Sequence, residues 1–262
     1  MTGATLVLVG SAVAITFLML AVWAISLVTR DASIVDIAWG SGFVLVSWVS
    51  NWLGDGNSTR SAVLVALTTI WGFRLALYLA RRNLGKGEDS RYRSMRRRHG
   101  DRFAIVSLYT VFGVQGMLMW IVSLPLQLGQ VREEPGFGVI GILGVLVWSV
   151  GMFFEALGDA QLARFKRNPA NKGRVMDQGL WRYTRHPNYF GDCCVWWGLG
   201  LIAFESRIGF VVLIGPVVMT VLLVKVSGAA LLDKIMLKRK PEYANYVATT
   251  SGFIPRRPSK TK

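Results

Sequence analysis

The sequence predicts an all-α membrane protein: a polytopic bundle of seven transmembrane helices forming one domain over residues 1–262, N-terminus outside and C-terminus in the cytoplasm. Three observations carry this. Apolar stretches long enough to cross a bilayer recur along the chain. Hydrophobic residues are 52% of the total and charged residues only 17%, where a soluble domain carries about 25% charge. Lys and Arg, finally, divide very unevenly between alternate loops. Together these exclude a disordered chain, a disulfide scaffold and a soluble dinucleotide-binding domain.

The elements follow in order. Residues 5–28 are too long for a signal peptide and lack its small-residue cleavage site, so they read as a retained first helix. The second span is 34–53, and Gly54-Asp55-Gly56-Asn57 turns the chain into a third at 61–80. A fourth covers 104–128, and Glu133-Glu134-Pro135-Gly136 turns into a fifth at 137–158. The sixth, 189–204, is short for a straight crossing, and the seventh is 208–232. Counted loop by loop, 29–33, 81–103, 159–188 and 233–262 hold 25 of the 30 Lys and Arg, against only Arg60, Arg132 and Arg207 on the other side. That alternation is the positive-inside rule for an odd number of spans. The net charge of +15 is thereby mainly topology and contact with membrane lipids, not nucleic-acid binding. Cys193 and Cys194 are adjacent and cannot form an ordinary disulfide.

Ionisable residues at membrane depth mark candidate sites. Asp36 lies two residues into the second span, where two readings fit: a helix N-terminal acid favoured by the helix dipole, or a carboxylic acid kept neutral by apolar surroundings so that it donates a hydrogen bond. Trp71, Arg74, Tyr78, Arg81 and Arg82 follow helical spacing and share one face, suited to phosphate and a stacked ring. Glu155 and Asp159 are an i, i+4 pair at the inner end of span five, with Lys166 on the same stripe if the helix continues. Gln115 reads as a hydrogen bonder to another helix and Lys225 as structural. The densest polar stretch runs from Gly179 to Asp192. There Arg182 and Arg185 stand beside the N-terminus of a helix opened by Pro187, an anion site in charge and dipole, and Asn188 and Asp192 are one turn apart. With two histidines in the chain, no cluster has metal-ligand spacing, and no P-loop or Gly-x-Gly-x-x-Gly occurs.

Gly173-Arg174-Val175 and Gly179-Leu180-Trp181-Arg182-Tyr183-Thr184-Arg185-His186-Pro187-Asn188-Tyr189-Phe190-Gly191-Asp192, after Glu155 to Lys166, resemble the C-terminal region of steroid 5α-reductase-like membrane proteins, most closely their bacterial DUF1295 branch. Ser33–Gly40, Trp71–Arg74 and Gly87–Tyr92 extend the resemblance, which covers roughly 30–257. It implies a multi-pass protein of the bacterial inner membrane that takes NADPH from the cytoplasmic side and saturates an enone double bond in a steroid-like or other lipid. Carried onto matching positions, the cofactor contacts are Arg74, Asp159, Lys166, Arg174, Tyr183, Arg185, His186, Asn188 and Asp192, with Glu155 in place of an amide. Most of this site falls within 137–257. Asp36 stands at the family's substrate-binding carboxylate. Trp71 stands where the family has a tyrosine and has no phenolic proton, so Tyr78 or Tyr92 fills the catalytic place beside Asp36.

A second class shares much of this signature. Membrane methyltransferases of the isoprenylcysteine and phospholipid types, which bind S-adenosylmethionine, also carry an Arg-His-Pro-x-Tyr segment and a Tyr-x-x-Tyr run before Ile-Pro, here Tyr243 to Tyr246 and Ile254-Pro255. A non-enzymatic lipid-binding scaffold is the third reading.

Overall fold

The computed structural model describes residues 3–226 and 228–259. Residue 227, inside the expected last span, lies outside them. Every regular element among the described residues is helical. In chain order these are α1 (Gly3–Thr29), α2 (Ile34–Leu53), α3 (Ser58–Asn83), α4 (Ser90–His99), α5 (Phe103–Ser107), α6 (Val114–Val122), α7 (Leu124–Leu128), α8 (Val139–Arg167), α9 (Pro187–Phe204), α10 (Ile214–Val221), α11 (Ala229–Arg239) and α12 (Tyr243–Thr249). Among the described residues, six helical stretches are long and apolar enough to cross a membrane: α1, α2, α3, Ser90–Val122, α8 and Phe210–Arg239. The short sixth span of the sequence is present as α9, 18 residues long, but is not one of the six.

Several boundaries differ from those expected. The fourth span starts earlier, because α4 runs through a turn at Gly100–Arg102 into α5 and then a π-helical stretch, Leu108–Gly113, before α6. It also breaks at Ser123, where Pro125 lacks the N–H that a continuous helix would use. α8 continues nine residues past 158, which carries Lys166 on the same helix as Glu155 and Asp159. Arg60, counted above with the loop charges, is fully buried in the first turn of α3. Its guanidinium donates to the carbonyls of Gly129 (2.9 Å), Pro135 (2.7 Å) and Arg132, tying down the loop between α7 and α8. The Asn57 side chain caps the same helix end, accepting from Arg60 N–H at 3.0 Å.

The chain divides into two compact units, one comprising residues up to Gly141 with Ile202–Gly215, the other Ile142–Leu201 with the residues from Pro216 onward. In the first, α2 packs on both α1 and α3. A Cβ added to Gly40 would lie 2.2 Å from Gly72 O, so α2 and α3 touch backbone to backbone. Phe43 and the buried Trp71 pack beside that crossing, ring centroids 5.8 Å apart. In the second unit the corresponding seam joins α8 and α9. A Cβ on Gly191 would sit 2.4 Å from Glu155 N and 2.6 Å from Gly151 O, and one on Gly198 would sit 2.6 Å from Gly144 O. Small residues at such crossings are how membrane helices gain close packing when lipid offers no hydrophobic drive between them.

Because the atoms crowding Gly191 are backbone, they cannot swing aside. Gly191→Val should destabilise the protein by about 1–3 kcal/mol or more, read as a lowered thermal midpoint in detergent, whereas Gly85→Ala, with nothing within 4 Å, should be penalised only for its positive φ.

Candidate functional site

Each unit contains a polar cluster. In the first, α2 brings Asp36 and Trp39 against α4 and α6. Asp36 Oδ1 accepts the Tyr92 hydroxyl at 3.0 Å and Oδ2 accepts Arg91 Nη2 at 3.1 Å. Gln115 Nε2 donates to the Tyr92 oxygen at 3.1 Å, and the Trp39 indole donates to Gln115 Oε1. Of the two tyrosines expected beside Asp36, Tyr92 is in contact with it. Tyr78 lies on α3 with the Arg82 guanidinium 5.8 Å from its ring centre. Both Asp36 oxygens are engaged, one by a phenol and one by a guanidinium. Gln115, read as a helix-to-helix hydrogen bonder, belongs to the cluster.

A second carboxylate holds α4 in place. Glu88 Oε1 accepts Ala32 N–H (3.0 Å) and Arg96 Nη2 (2.7 Å), and Oε2 accepts Arg96 Nε (3.0 Å). The bidentate pair ties α4 to the loop before it, the Ala32 N–H joins that loop to the α1–α2 turn, and the Arg96 guanidinium lies over the Phe103 ring at 4.2 Å. Burial raises the Glu88 carboxyl, but the Arg96 hydrogen bonds, the Ala32 N–H and the Arg96 charge outweigh it and hold the group below its ordinary range.

In the second unit the organising group is Asp233, on α11. Its Oδ2 accepts Arg185 Nη2 (2.8 Å) and Nε (3.3 Å). Its Oδ1 accepts the Tyr243 hydroxyl (2.5 Å) and lies 2.9 Å from His186 Nε2. Arg185 Nη1 donates to the carbonyls of Thr250 (2.5 Å) and Val247 (3.2 Å). The guanidinium expected to grip phosphate is therefore spent on fastening the C-terminal segment to the turn before α9. The Tyr246 hydroxyl donates to Trp181 O, Trp181 Nε1 to Gly158 O at 3.1 Å, and Thr184 Oγ1 to Phe253 O at 2.8 Å, completing that fastening. Burial, and after it the Asp233 carboxylate, push the Tyr243 hydroxyl far above the ordinary tyrosine range, so it remains a donor.

Beside this knot is a cavity of about 440 Å³. Leu162, Phe165, Trp181, Met236 and Tyr243 supply apolar and aromatic walls, His186 stands among them, and Lys166, Arg167, Lys172, Arg174 and Lys240 form a basic rim. A more polar cavity of about 760 Å³ adjoins it, sharing Phe165, Asn171, Arg174, Val175 and Tyr246 and adding Arg182, Gln178 and Asn245. The sequence-expected residues thus separate. Lys166, Arg174, Arg185 and His186 line the first cavity. Glu155, Asp159 and Asn188 lie at the α8–α9 crossing, where Asn188 Nδ2 donates to Asp159 Oδ1 at 3.1 Å, and Asp192 follows Asn188 on α9. Tyr183 lines neither cavity, and Arg74 belongs to the other unit. Asp233 and Lys240 were missed by the sequence reading. The available signal was a lone acid, Leu232-Asp233-Lys234, at the inner end of the last apolar run. Among the described residues no group of three or more His, Cys, Asp or Glu could hold a metal ion.

The family model described as "Protein of unknown function (DUF1295)" matches residues 22–250, and the chain belongs to that family. An uncharacterized protein of Schizosaccharomyces pombe is 24% identical over 269 residues, covering 89% of this chain and 75% of the relative. A probable O-methyltransferase of Ustilaginoidea virens is 39% identical over 46 residues, 18% of this chain and 16% of that protein. Both relatives are fungal, so a bacterial membrane does not follow from relatedness. No solved structure matches.

Two outcomes follow from the carboxylates. Glu88 is held below its ordinary value of 4.5, so its contribution to stability is complete above that value and is lost as pH falls through the lower folded value. Thermal midpoints measured from pH 7 downward should fall less steeply below about pH 5 in Glu88→Gln than in the parent. Arg185→Ala takes from Asp233 its guanidinium partner and from the Val247 and Thr250 carbonyls their donor, and should cost about 3–5 kcal/mol of stability, seen with no ligand present.

Proposed function

We propose that this member of the DUF1295 family is an NADPH-dependent membrane reductase that saturates an enone-type double bond in a steroid-like or other lipid substrate. The observation that carries the reading is the cavity of the second unit, an aromatic and apolar chamber under a rim of five cations. Its volume is in the range of small-molecule sites, and its chemistry suits a ligand with flat rings at one end and several negative charges at the other. Lys166, Lys172, Arg174 and Lys240 would hold phosphates, with Phe165 and Trp181 against the rings. NADPH, when bound, supplies the hydride.

A hydrogen-bond donor on the carbonyl of an enone polarises it so that its β-carbon accepts hydride and stabilises the enolate oxygen as charge develops there; Tyr92 is the proposed donor, its hydroxyl exchanging Asp36 Oδ1 for the substrate oxygen. A proton delivered to the α-carbon completes the saturation. Asp36 positions the phenol, and Arg91 holds Asp36. Seven spans, with α9 as the sixth, a cytoplasmic C-terminus and residence in a bacterial inner membrane belong to the same proposal. The support for the orientation is the 25-to-3 distribution of Lys and Arg.

A second reading, S-adenosylmethionine-dependent methyl transfer, is favoured by the 46-residue similarity to a probable O-methyltransferase and by the Tyr243-to-Tyr246 run over the same cavity.

Thermal-shift titration of the purified protein separates the two. Reduction predicts stabilisation by NADPH that grows with concentration as mass action requires and none by S-adenosylmethionine, and the reverse result would move the assignment to methyl transfer. Arg174→Ala should weaken the NADPH response about tenfold or more. Tyr92→Phe should leave it intact while lowering turnover of an enone lipid about 10²–10⁴-fold.

A further inference from the structure

In the first unit, the loop joining α7 to α8 packs with the turn that follows α9, at the opposite end of α2 from Asp36. There Glu205, 7% exposed, takes one hydrogen bond from the described residues, Gly138 N–H to Oε2 at 3.0 Å. The Arg60 charge reaches it, but that guanidinium is spent on the carbonyls of Gly129, Arg132 and Pro135. Oε1 is left without a donor among the described residues. It is not sealed off: Glu205 lines a cavity of about 450 Å³, and Oε1 is not among the described polar atoms that are both enclosed and unpartnered. A carboxylate this buried is tolerated when its charge is paired and its lone pairs are filled.

The walls of the cavity define what fills it. Gly138 keeps the approach to Oε1 open, since a Cβ there would stand 3.1 Å from that oxygen. Phe204 and Phe210, ring centroids 5.4 Å apart, give aromatic sides, whose faces attract a cation. Arg207 lines the same cavity, exposed and held at φ 55, a left-handed conformation that non-glycine residues seldom adopt. An acceptor for a cation beside a guanidinium matches a ligand that carries both signs, ammonium and phosphate. Two of the lining residues continue onto apolar surface, Ile140 being 39% and Phe210 78% exposed, and both open stretches long and apolar enough to cross a membrane. A soluble zwitterion makes no use of that surface, whereas a lipid covers it with its chains.

We propose that this cavity binds the headgroup of an ethanolamine phospholipid: the ammonium donates to Glu205 Oε1, the phosphate meets Arg207, and the chains run along Ile140 and Phe210. A primary ammonium is selected over a trimethylated one because only the former has an N–H to give the bare carboxylate oxygen. An anionic glycerol phospholipid brings the phosphate without a cation for Glu205. Every lining residue lies in the first unit, so the site stands apart from the nucleotide cavity and from the reaction proposed for it.

Full-length protein is reconstituted in nanodiscs of equal parts ethanolamine and choline phospholipid, and the lipid it retains is read by native mass spectrometry. The ethanolamine lipid should be retained about tenfold or more over the choline lipid, and likewise over a glycerol phospholipid in a parallel mixture. Glu205→Gln keeps an acceptor for Gly138 N–H, and Gly138→Ala keeps the carboxylate but sets a methyl group beside Oε1. Each should abolish the preference, and Arg207→Ala should weaken retention of the ethanolamine lipid. Should Glu205→Gln not fold, Gly138→Ala and the retention ratio of the parent still decide. Equal retention of the lipids by the parent, or a preference that survives in Gly138→Ala, overturns the proposal. So does thermal stabilisation in choline-only discs by soluble glycerophosphoethanolamine or by sodium ion as large as that given by the ethanolamine lipid.

Discussion

One carboxylate holds the second unit together. Asp233 draws Arg185 and His186 from the turn before α9 and Tyr243 from α12 onto a single pair of oxygens. A partly buried charge is tolerable only when paired and hydrogen-bonded, and here the pairing also closes the chain. Arg185 continues from Asp233 to the carbonyls of Val247 and Thr250. Without that bridge, the cavity's walls from residues 165–186 and from 232–246 have much less to keep them facing each other.

The first unit uses the same device twice, at a shorter range of consequence. Glu88 and Arg96 fasten α4 to the start of α2, and Asp36, with Arg91 and Tyr92, fastens the same two helices one step further in. Arginine suits these places because its planar fork bonds two acceptors at once. Three of the arginines of α4, namely Arg91, Arg93 and Arg96, are committed in this way to Asp36 and Asp89, to the Glu88 carbonyl and to the Glu88 carboxylate. A stretch that reads as undifferentiated positive charge is in fact sorted residue by residue.

How much of this the sequence discloses depends on the range of the physics involved. The apolar spans are legible because a bilayer imposes a length and a composition that any window of residues displays. The α8–α9 pairing of Asp159 with Asn188 was within reach, since both residues stood out as polar at helix ends. Arg60 was not. Nothing in Ser58-Thr59-Arg60-Ser61 says that three carbonyls about seventy residues away will converge on it. Arg185 was singled out for its charge, yet sequence shows a charge and not its partner, and the partner, Asp233, was hidden in a tail that looked uniformly basic. Tyr92 emerged as one of two candidates, and its contact with Asp36 depends on the helical turn of α4 in a stretch that reads as loop.

An indole nitrogen can give a hydrogen bond but never receive one, and this sets a one-way polarity on the chain that begins at Trp39. Its N–H obliges Gln115 to present its carbonyl oxygen, which turns the amide toward Tyr92. The phenol oxygen is then occupied from behind, and its hydrogen has Asp36 ahead of it. A proton lost from Tyr92 cannot be replenished from the indole end, where every hydrogen is already pledged forward. Refilling has to come through Asp36 from the side of Arg91, whose side chain is 59% exposed. The string of four groups therefore behaves less like a store of protons than like a valve with its inlet at the surface.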